Sequence, residues 1–224
     1  MSGSGLKAVV FDMDGVIIDS ELQWRLATPE LLGEIARRWD PEHDGHVVGF
    51  GVVDLYEWLV ETYGLKETKE SFLSRSDAMA RDIYGSRVTL SDGFLEFATH
   101  LKTRGLGLAI ASSSPRHWIE MVLRRFSLSS LLGTVVSADD VGGKTKPEPD
   151  TYLMAARKLG IAPDLCLAIE DSSRGVAAAK RAGMLCAGFR SGNNPEQNLS
   201  EADIEIRGFK DLDYESLTSR LSLA

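Results

Sequence analysis

The sequence predicts an α/β protein, with a parallel sheet, helices on both of its faces and a helical segment inserted after the first strand. Residues 9–11 form an apolar run without alternation that stops at Asp12, which is typical of a strand buried on both faces. Residues 21–87 show helical patterns and no convincing strand. From residue 90 onward strands and helices alternate, which implies right-handed crossovers and a parallel sheet.

The elements follow in order along the chain. Further strands are predicted at residues 106–112, 133–137, 165–169, 184–189 and 203–206. Helices are predicted at residues 22–39, 53–63 and 69–84 in the inserted segment, and at residues 115–126, 148–159 and 172–182 after it. We therefore expect a core domain of residues 1–19 and 88–224, and an inserted helical domain of residues 20–87.

Composition bounds the partners and the compartment. The 224 residues include 25 Lys and Arg against 33 Asp and Glu, so the net charge is −8, which argues against nucleic acid or an anionic membrane as the main partner. A small anionic substrate is not excluded, because a local cation outweighs distant acids. Cys166 and Cys186 lie in apolar runs, as expected of reduced thiols. We expect a cytoplasmic monomer without a membrane-spanning segment.

Asp12 and Asp14 follow the first predicted strand, at the carboxyl edge where open α/β sheets bind ligands. Two carboxylates this close repel each other unless a cation or a proton intervenes. Oxygen ligands of this kind suit Mg²⁺, which also takes phosphate oxygens. The alternative for an isolated Asp-x-Asp is a strand end with two solvated acids.

Polar residues also follow three later strands. Three serines, Ser112, Ser113 and Ser114, precede a helix, and their hydroxyl and backbone N–H groups are typical of an anion-binding site. The alternative is a simple helix cap. Lys146 precedes two prolines that fix the backbone beyond it, and a basic loop before a helix is the alternative. Glu170 and Asp171 end another strand, or serve only as acids at a helix start. Independent capping would rarely place all of these groups on one sheet edge.

These motifs together resemble the haloacid dehalogenase-like hydrolase superfamily, and within it the subgroup of β-phosphoglucomutase and phosphatases of small phosphate esters. The resemblance is carried by Asp12-x-Asp14-Gly15-Val16, Ser112, Lys146-Pro147-x-Pro149-Asp150 and Glu170-Asp171. It implies a Rossmann-like core, a four-helix cap domain in place of the inserted segment, Mg²⁺ dependence and phosphoryl transfer through an aspartyl phosphate. The cap would be hinged near residues 18–20 and 85–92.

The resemblance also implies a role for each matching residue. Asp12 would be the nucleophile, Asp14 the general acid and base, and Lys146 the cation that offsets the charge of Asp12 and the phosphate. Ser112, Ser113 and Lys146 would bind the phosphoryl group, and Arg116 a more distal anionic group. The metal ligands would be Asp12, the backbone carbonyl of Asp14, Glu170 and Asp171.

The choice between reaction types depends on a few positions. Asp14 favours a phosphate ester, because dehalogenating relatives lack an acid there. Trp24 stands where β-phosphoglucomutase has a histidine, and residues 49–54 contain no Arg or Lys to hold a second phosphate. We therefore predict a phosphatase of a small phosphorylated metabolite such as a sugar phosphate. One alternative is a sugar-phosphate mutase. The other is a non-catalytic binding protein, and only this second alternative is disfavoured by the complete set of catalytic residues.

Overall fold

One parallel sheet forms the centre of the structure, a computed structural model that describes residues 5–44, 46–210 and 212–221. Its strands are β1 (Ala8–Phe11), β2 (Gly107–Ala111), β3 (Thr134–Val136), β4 (Cys166–Glu170), β5 (Leu185–Phe189) and β6 (Ile204–Ile206). The order across the sheet is β3-β2-β1-β4-β5-β6, and every neighbouring pair is parallel. Because the chain moves to opposite sides of β1, a crevice forms at the carboxyl end of that strand.

Helices surround the sheet and fill the inserted segment. They are α1 (Ser20–Leu32), α2 (Val52–Tyr63), α3 (Lys69–Asp82), α4 (Phe94–Thr103), α5 (Arg116–Arg125), α6 (Asp150–Leu159), α7 (Ser173–Arg181) and α8 (Tyr214–Arg220). No helix of the described residues is long and apolar enough to cross a membrane. The predicted α/β class with a helical insertion is confirmed, while α4 and α8 were not predicted.

The helical insert, residues 20–87, differs in detail from its prediction. The first helix was expected to reach residue 39, but α1 ends at Leu32 and a 3₁₀ segment, Gly33–Arg38, follows. Pro29 cannot donate a backbone hydrogen bond, and Gly33 adopts a positive φ of 54° that ends the α-helix. The described part of the insert thus contains three α-helices, with two 3₁₀ segments between α1 and α2 and a π-helical turn, Ile83–Arg87, after α3.

Residues of β1 alternate between two apolar layers. Val9 and Phe11 pack with the layer that contains Phe94, whereas Ala8 and Val10 pack with the layer that contains Tyr152. All four residues of β1 are fully buried, as expected of a strand covered on both faces. The sheet edge beyond β1 is therefore held by packing on both sides.

The chain passes between core and insert at two adjacent crossings. Ile18 forms an isolated bridge with Leu90. The Asp19 carboxylate accepts hydrogen bonds from the Thr89 backbone N–H at 2.5 Å and from the Thr89 hydroxyl at 3.0 Å. The two crossings are thus bonded to each other, while the domain limits at residues 19 and 88 remain a prediction.

Candidate active site

Lys146 connects two acids from neighbouring strands. Its Nζ lies 2.6 Å from Oδ1 of Asp12, which follows β1, and 2.5 Å from Oε1 of Glu170, the last residue of β4. Lys146 is 2% exposed and Glu170 is 0% exposed, so these charges are almost completely removed from water. The sheet edge therefore brings together three residues that were predicted to share a site.

Glu170 is held by further polar groups and by a close backbone approach. The Tyr152 hydroxyl donates to its Oε1 at 2.5 Å, and the Ser172 hydroxyl donates to its Oε2 at 3.3 Å. A Cβ atom added to Gly175 at the start of α7 would lie 1.9 Å from Glu170 Oε2. Only glycine lets the helix pack this closely against the carboxylate.

Asp12, Glu170 and Asp171 form a buried carboxylate cluster whose ligand atoms all lie within 4.8 Å of one another. Burial raises the pKa of Asp12 well above its ordinary value against the attraction of Lys146, and the charges of Glu170 and Asp14 raise it further. Burial likewise raises the pKa of Asp171, as do the neighbouring acids. This excess of negative charge and the all-oxygen donor set fit a divalent cation such as Mg²⁺.

Asp14 lies beside this cluster and is bound by three hydroxyl groups. Its Oδ1 accepts from Ser20 at 2.7 Å and from Tyr84 at 2.8 Å, and its Oδ2 accepts from Ser114 at 2.9 Å. The pKa of Asp14 is raised, because burial outweighs these three donors. Its side chain does not belong to the carboxylate cluster, so a metal contact through its backbone carbonyl remains a prediction.

The serine loop between β2 and α5 faces the same cavity. Ser112 is 1% exposed, and its hydroxyl accepts a hydrogen bond from the Ser114 backbone N–H at 3.0 Å. The Ser113 hydroxyl is buried and has no hydrogen-bond partner among the described residues. A polar group left in this state is available for an anionic ligand.

Arg116 does not lie with the other predicted residues. Its guanidinium donates to the Asp140 carboxylate and, at 3.2 Å, to the Val135 carbonyl, while its backbone N–H donates to Asp139 at 2.8 Å. It does not line the cavity described below. The expected contact of Arg116 with an anionic group of the substrate is therefore withdrawn, because Asp140 and Val135 already hold this side chain.

A cavity of about 400 Å³ lies between the sheet edge and the helical insert. Asp12, Asp14, Ser112, Ser113, Lys146 and Asp171 line its core side. The insert contributes Glu21, Trp24 and Arg25 from α1, and Phe50 from the turn before α2. The pKa of Glu21 is raised to about 7, because the side chain is buried and lies close to Asp14.

Several of these positions were missed by the sequence analysis. Asn194 donates a hydrogen bond to the Asp171 carboxylate and lines the cavity. It lies in the loop after β5, so the same strand-edge rule could have found it. Glu21 and Arg25 are one helical turn apart, but such a spacing is common on solvated helix faces and gives no specific signal.

Comparison with known proteins identifies the family. The model of the haloacid dehalogenase-like hydrolase family matches residues 6–183. The chain belongs to the haloacid dehalogenase-like hydrolase family. Hexitol phosphatase B of Escherichia coli (strain K12) is 35% identical over 182 residues, which cover 79% of this chain and 80% of that relative. β-Phosphoglucomutase of Bacillus subtilis (strain 168) is 30% identical over 220 residues, which cover 95% of this chain and 94% of that relative.

Solved structures of the haloacid dehalogenase-like family share the fold. β-Phosphoglucomutase from Clostridium difficile superimposes with a TM-score of 0.80 at 21% identity, covering 97% of each chain. Family membership confirms the predicted resemblance, the Rossmann-like core and the assignment as an enzyme of the hydrolase class.

Proposed function

We propose that this hydrolase is a Mg²⁺-dependent phosphatase that acts on the phosphate monoester of a small sugar or polyol through an aspartyl phosphate on Asp12. The observation that carries the proposal is the position of Asp12 in the wall of the cavity, paired with Lys146 and beside two further carboxylates. The relative named hexitol phosphatase B supports the substrate class.

Asp12 attacks the phosphorus atom, and a covalent intermediate divides one difficult displacement into two easier ones. Lys146 holds Asp12 Oδ1 at 2.6 Å and reduces the repulsion between the carboxylate and the phosphate dianion. Ser112 and Ser113 bind phosphoryl oxygens through a hydroxyl and a backbone N–H. Phosphoryl transfer has a loose transition state, so this positioning and charge stabilisation supply most of the catalysis.

Mg²⁺ would be held by the carboxylates of Asp12 and Asp171, the Asp14 backbone carbonyl and Glu170, directly or through water. When bound, it supplies positive charge that keeps the anionic nucleophile and the anionic phosphate together. The carboxylate cluster supports this assignment, because three buried acids have one buried ammonium group between them.

Asp14 protonates the departing alcohol and later removes a proton from the attacking water, a contribution of roughly 10²–10⁴-fold. The alcohol part of the substrate occupies the insert side of the cavity, where Glu21 and Arg25 offer hydrogen bonds to hydroxyl groups, and Asn194 faces it from the loop after β5. Movement of the insert about residues 18–20 and 85–92 admits substrate and then excludes water. The cytoplasmic location, the monomeric state and the absence of nucleic-acid or membrane partners stay predictions.

A sugar-phosphate mutase is the second candidate, because the Bacillus subtilis β-phosphoglucomutase matches nearly the whole chain. A mutase holds a bisphosphate intermediate and needs a cation far from Asp12. Arg25 and Lys146 are the basic residues that line the described part of the cavity, and Arg25 already donates to the Asn193 carbonyl. With β-glucose 1-phosphate and a bisphosphate primer, free phosphate indicates hydrolysis and glucose 6-phosphate indicates the mutase.

The proposal is tested by phosphate release from a panel of hexitol, hexose, glycerol and nucleoside phosphates with Mg²⁺. Asp12→Asn removes the nucleophile and should lower turnover by about 10³-fold or more. Asp164→Asn, at an exposed aspartate just before β4 and at the opposite end of that strand from Glu170, is the control and should leave turnover unchanged. Turnover by Asp12→Asn within about tenfold of the wild type would refute the assigned nucleophile.

A further inference from the structure

A chain of hydrogen bonds runs from the helical insert to the carboxylate of Asp14. The indole Nε1 of Trp24 donates to the Tyr84 hydroxyl at 3.0 Å, and the Tyr84 hydroxyl donates to Asp14 Oδ1 at 2.8 Å. Trp24 lies in α1, and Tyr84 lies in the π-helical turn Ile83–Arg87 at the other end of the insert. Both ends of the insert therefore meet at the one residue assigned as acid and base.

The direction of these bonds is fixed by chemistry. An indole N–H only donates, so the Tyr84 oxygen must accept from Trp24. A phenol carries one proton, and Asp14 lies at the position to which Tyr84 points it. Tyr84 is 1% exposed and packs against Trp24 and Trp118, with ring centroids 6.0 Å and 5.7 Å away, so its ring is fixed with the hydroxyl beside Asp14. The Ser114 hydroxyl is a further hydrogen-bonding neighbour of the Tyr84 hydroxyl.

The two oxygens of Asp14 consequently differ. Oδ1 accepts from both Ser20 and Tyr84, whereas Oδ2 accepts only from Ser114, a residue of the serine loop that lines the cavity. A serine hydroxyl can rotate and accept a hydrogen bond instead of donating one. The Tyr84 oxygen already accepts from Trp24 and gives its own proton to Oδ1, so the proton of a neutral Asp14 belongs on Oδ2.

We propose that Tyr84 and Trp24 are positioning residues that reserve Asp14 Oδ1 as an acceptor and leave Oδ2 as the atom that carries the proton to the leaving oxygen. In that step the Oδ2–H bond breaks as the alcohol O–H bond forms, and the ester P–O bond breaks as the bond to Asp12 forms. This inference rests on the proposed function. It ties the acid to the insert, because displacing the insert withdraws two of the groups that aim Asp14.

The test compares two kinds of leaving group in Tyr84→Phe, which keeps the ring and removes the hydroxyl. The probes are 4-nitrophenyl phosphate, whose phenolate leaves without a proton, and glycerol 3-phosphate, whose alkoxide needs one. We expect kcat/KM to fall by about 10- to 100-fold for glycerol 3-phosphate, a part of the contribution of a general acid, and by less than about threefold for 4-nitrophenyl phosphate. Trp24→Phe should show the same selectivity with a smaller loss.

Tyr56→Phe is the matched control, because its hydroxyl donates to the Glu67 carbonyl within the insert at 3.0 Å and does not line the cavity. Tyr56→Phe should leave kcat/KM unchanged for both 4-nitrophenyl phosphate and glycerol 3-phosphate. A loss in Tyr84→Phe that is equal for the two probes, or no loss with either, overturns the positioning role while the phosphatase assignment stands. A wild-type enzyme that hydrolyses neither probe nor any member of the substrate panel overturns both. Thermal melting of each variant separates a folding defect from a loss of selectivity.

Discussion

Lys146 is a lysine whose ammonium group has two carboxylates as its nearest charged partners. Burial alone would lower its pKa, but the attraction of Asp12 and Glu170 outweighs this effect and raises the pKa. Lys146 therefore stays charged wherever the enzyme is folded. Loss of Lys146 would leave two buried carboxylates without a counter-charge. This destabilises the fold by more than the intact ion pair stabilises it.

We expect Lys146→Met to lower the free energy of unfolding by about 3–5 kcal/mol, the usual cost of breaking a buried ion pair. Phosphatase turnover should fall by about 10²-fold or more, because Asp12 loses the cation that offsets its charge. Urea denaturation and phosphate release measure the two effects. Lys180→Met is the control, since its pair with Asp203 is about one-third exposed and should contribute less than about 1 kcal/mol. Equal destabilisation by the two variants would contradict the buried network.

At the scale of elements, two local structures each depend on one or two residues. Helix α7 begins against Glu170 at Gly175, and the 3₁₀ segment Ala138–Val141 is capped by Ser137 and Asp140. Neither helix length nor amphipathic pattern reveals these contacts, because each depends on a single small or polar residue. Each contact leads to a prediction: the contact at Gly175 concerns Mg²⁺ affinity, and the contact at Asp140 concerns stability.

Gly175→Ala should displace Glu170, because the added Cβ would overlap its carboxylate. We expect the apparent affinity for Mg²⁺, measured by titrating activity, to fall by about 10- to 100-fold, as for other changes to groups that support a metal ligand. Ala177→Ser, two positions further along the same helix, is the control and should change the affinity little. An unchanged Mg²⁺ titration in Gly175→Ala would show that Glu170 has no part in metal binding.

Asp140 should make the stability of the enzyme depend on acid pH. The pKa of Asp140 is lowered because hydrogen bonds from Ser137 and Lys158, together with the charge of Arg116, outweigh the cost of burial. The contribution of Asp140 to the free energy of unfolding is therefore complete above about pH 3.9, the pKa of an aspartate in the unfolded chain, and is lost as the pH falls below that value. We expect Asp140→Asn to cost about 1–2 kcal/mol at pH 7 and clearly less at pH 3, by urea denaturation. The exposed control Asp164→Asn should cost less than Asp140→Asn at pH 7, and a cost of Asp140→Asn that is the same at pH 7 and pH 3 would contradict the assignment.

The parts of the site that could be predicted are those fixed by strand ends. Asp12, Ser112, Lys146 and Asp171 converge because parallel strands finish at one edge, which a sequence reveals through its buried runs. Arg116 was misplaced because its partner Asp140 comes from a different loop, and only the folded chain brings the two together. Tyr84 was missed for the same reason, since it reaches Asp14 over 70 positions of sequence.

At the scale of the whole molecule, the insert is closed over the core by contacts around the cavity. The Arg174 guanidinium of α7 lies 4.2 Å from the centre of the Phe50 ring. Arg25 donates to the Asn193 carbonyl, and Thr145 donates to the Asp54 carboxylate. These contacts surround a site whose acids repel one another, so a bound cation should stabilise the closed molecule as a whole.

Removal and addition of metal should therefore change both activity and stability. EDTA should abolish phosphate release, and Mg²⁺ should restore it and raise the Tm, because a ligand that binds only the folded state stabilises that state. Asp171→Asn removes one carboxylate of the cluster and should remove most of the rise in Tm. An enzyme with unchanged activity and Tm in EDTA would contradict a metal site at this cluster.

The bonded crossings at Ile18 and Leu90 have a consequence for how such an enzyme changes over generations. The Asp19 backbone N–H donates to the Thr89 carbonyl, so the 69 intervening residues, 20–88, form a loop whose two ends are already in contact. A loop whose ends are in contact can be exchanged or enlarged with little loss of stability in the core domain. The catalytic residues of the core can thereby stay unchanged while the insert diversifies. Replacing the insert at these two crossings should therefore change the substrate specificity without altering the catalytic core.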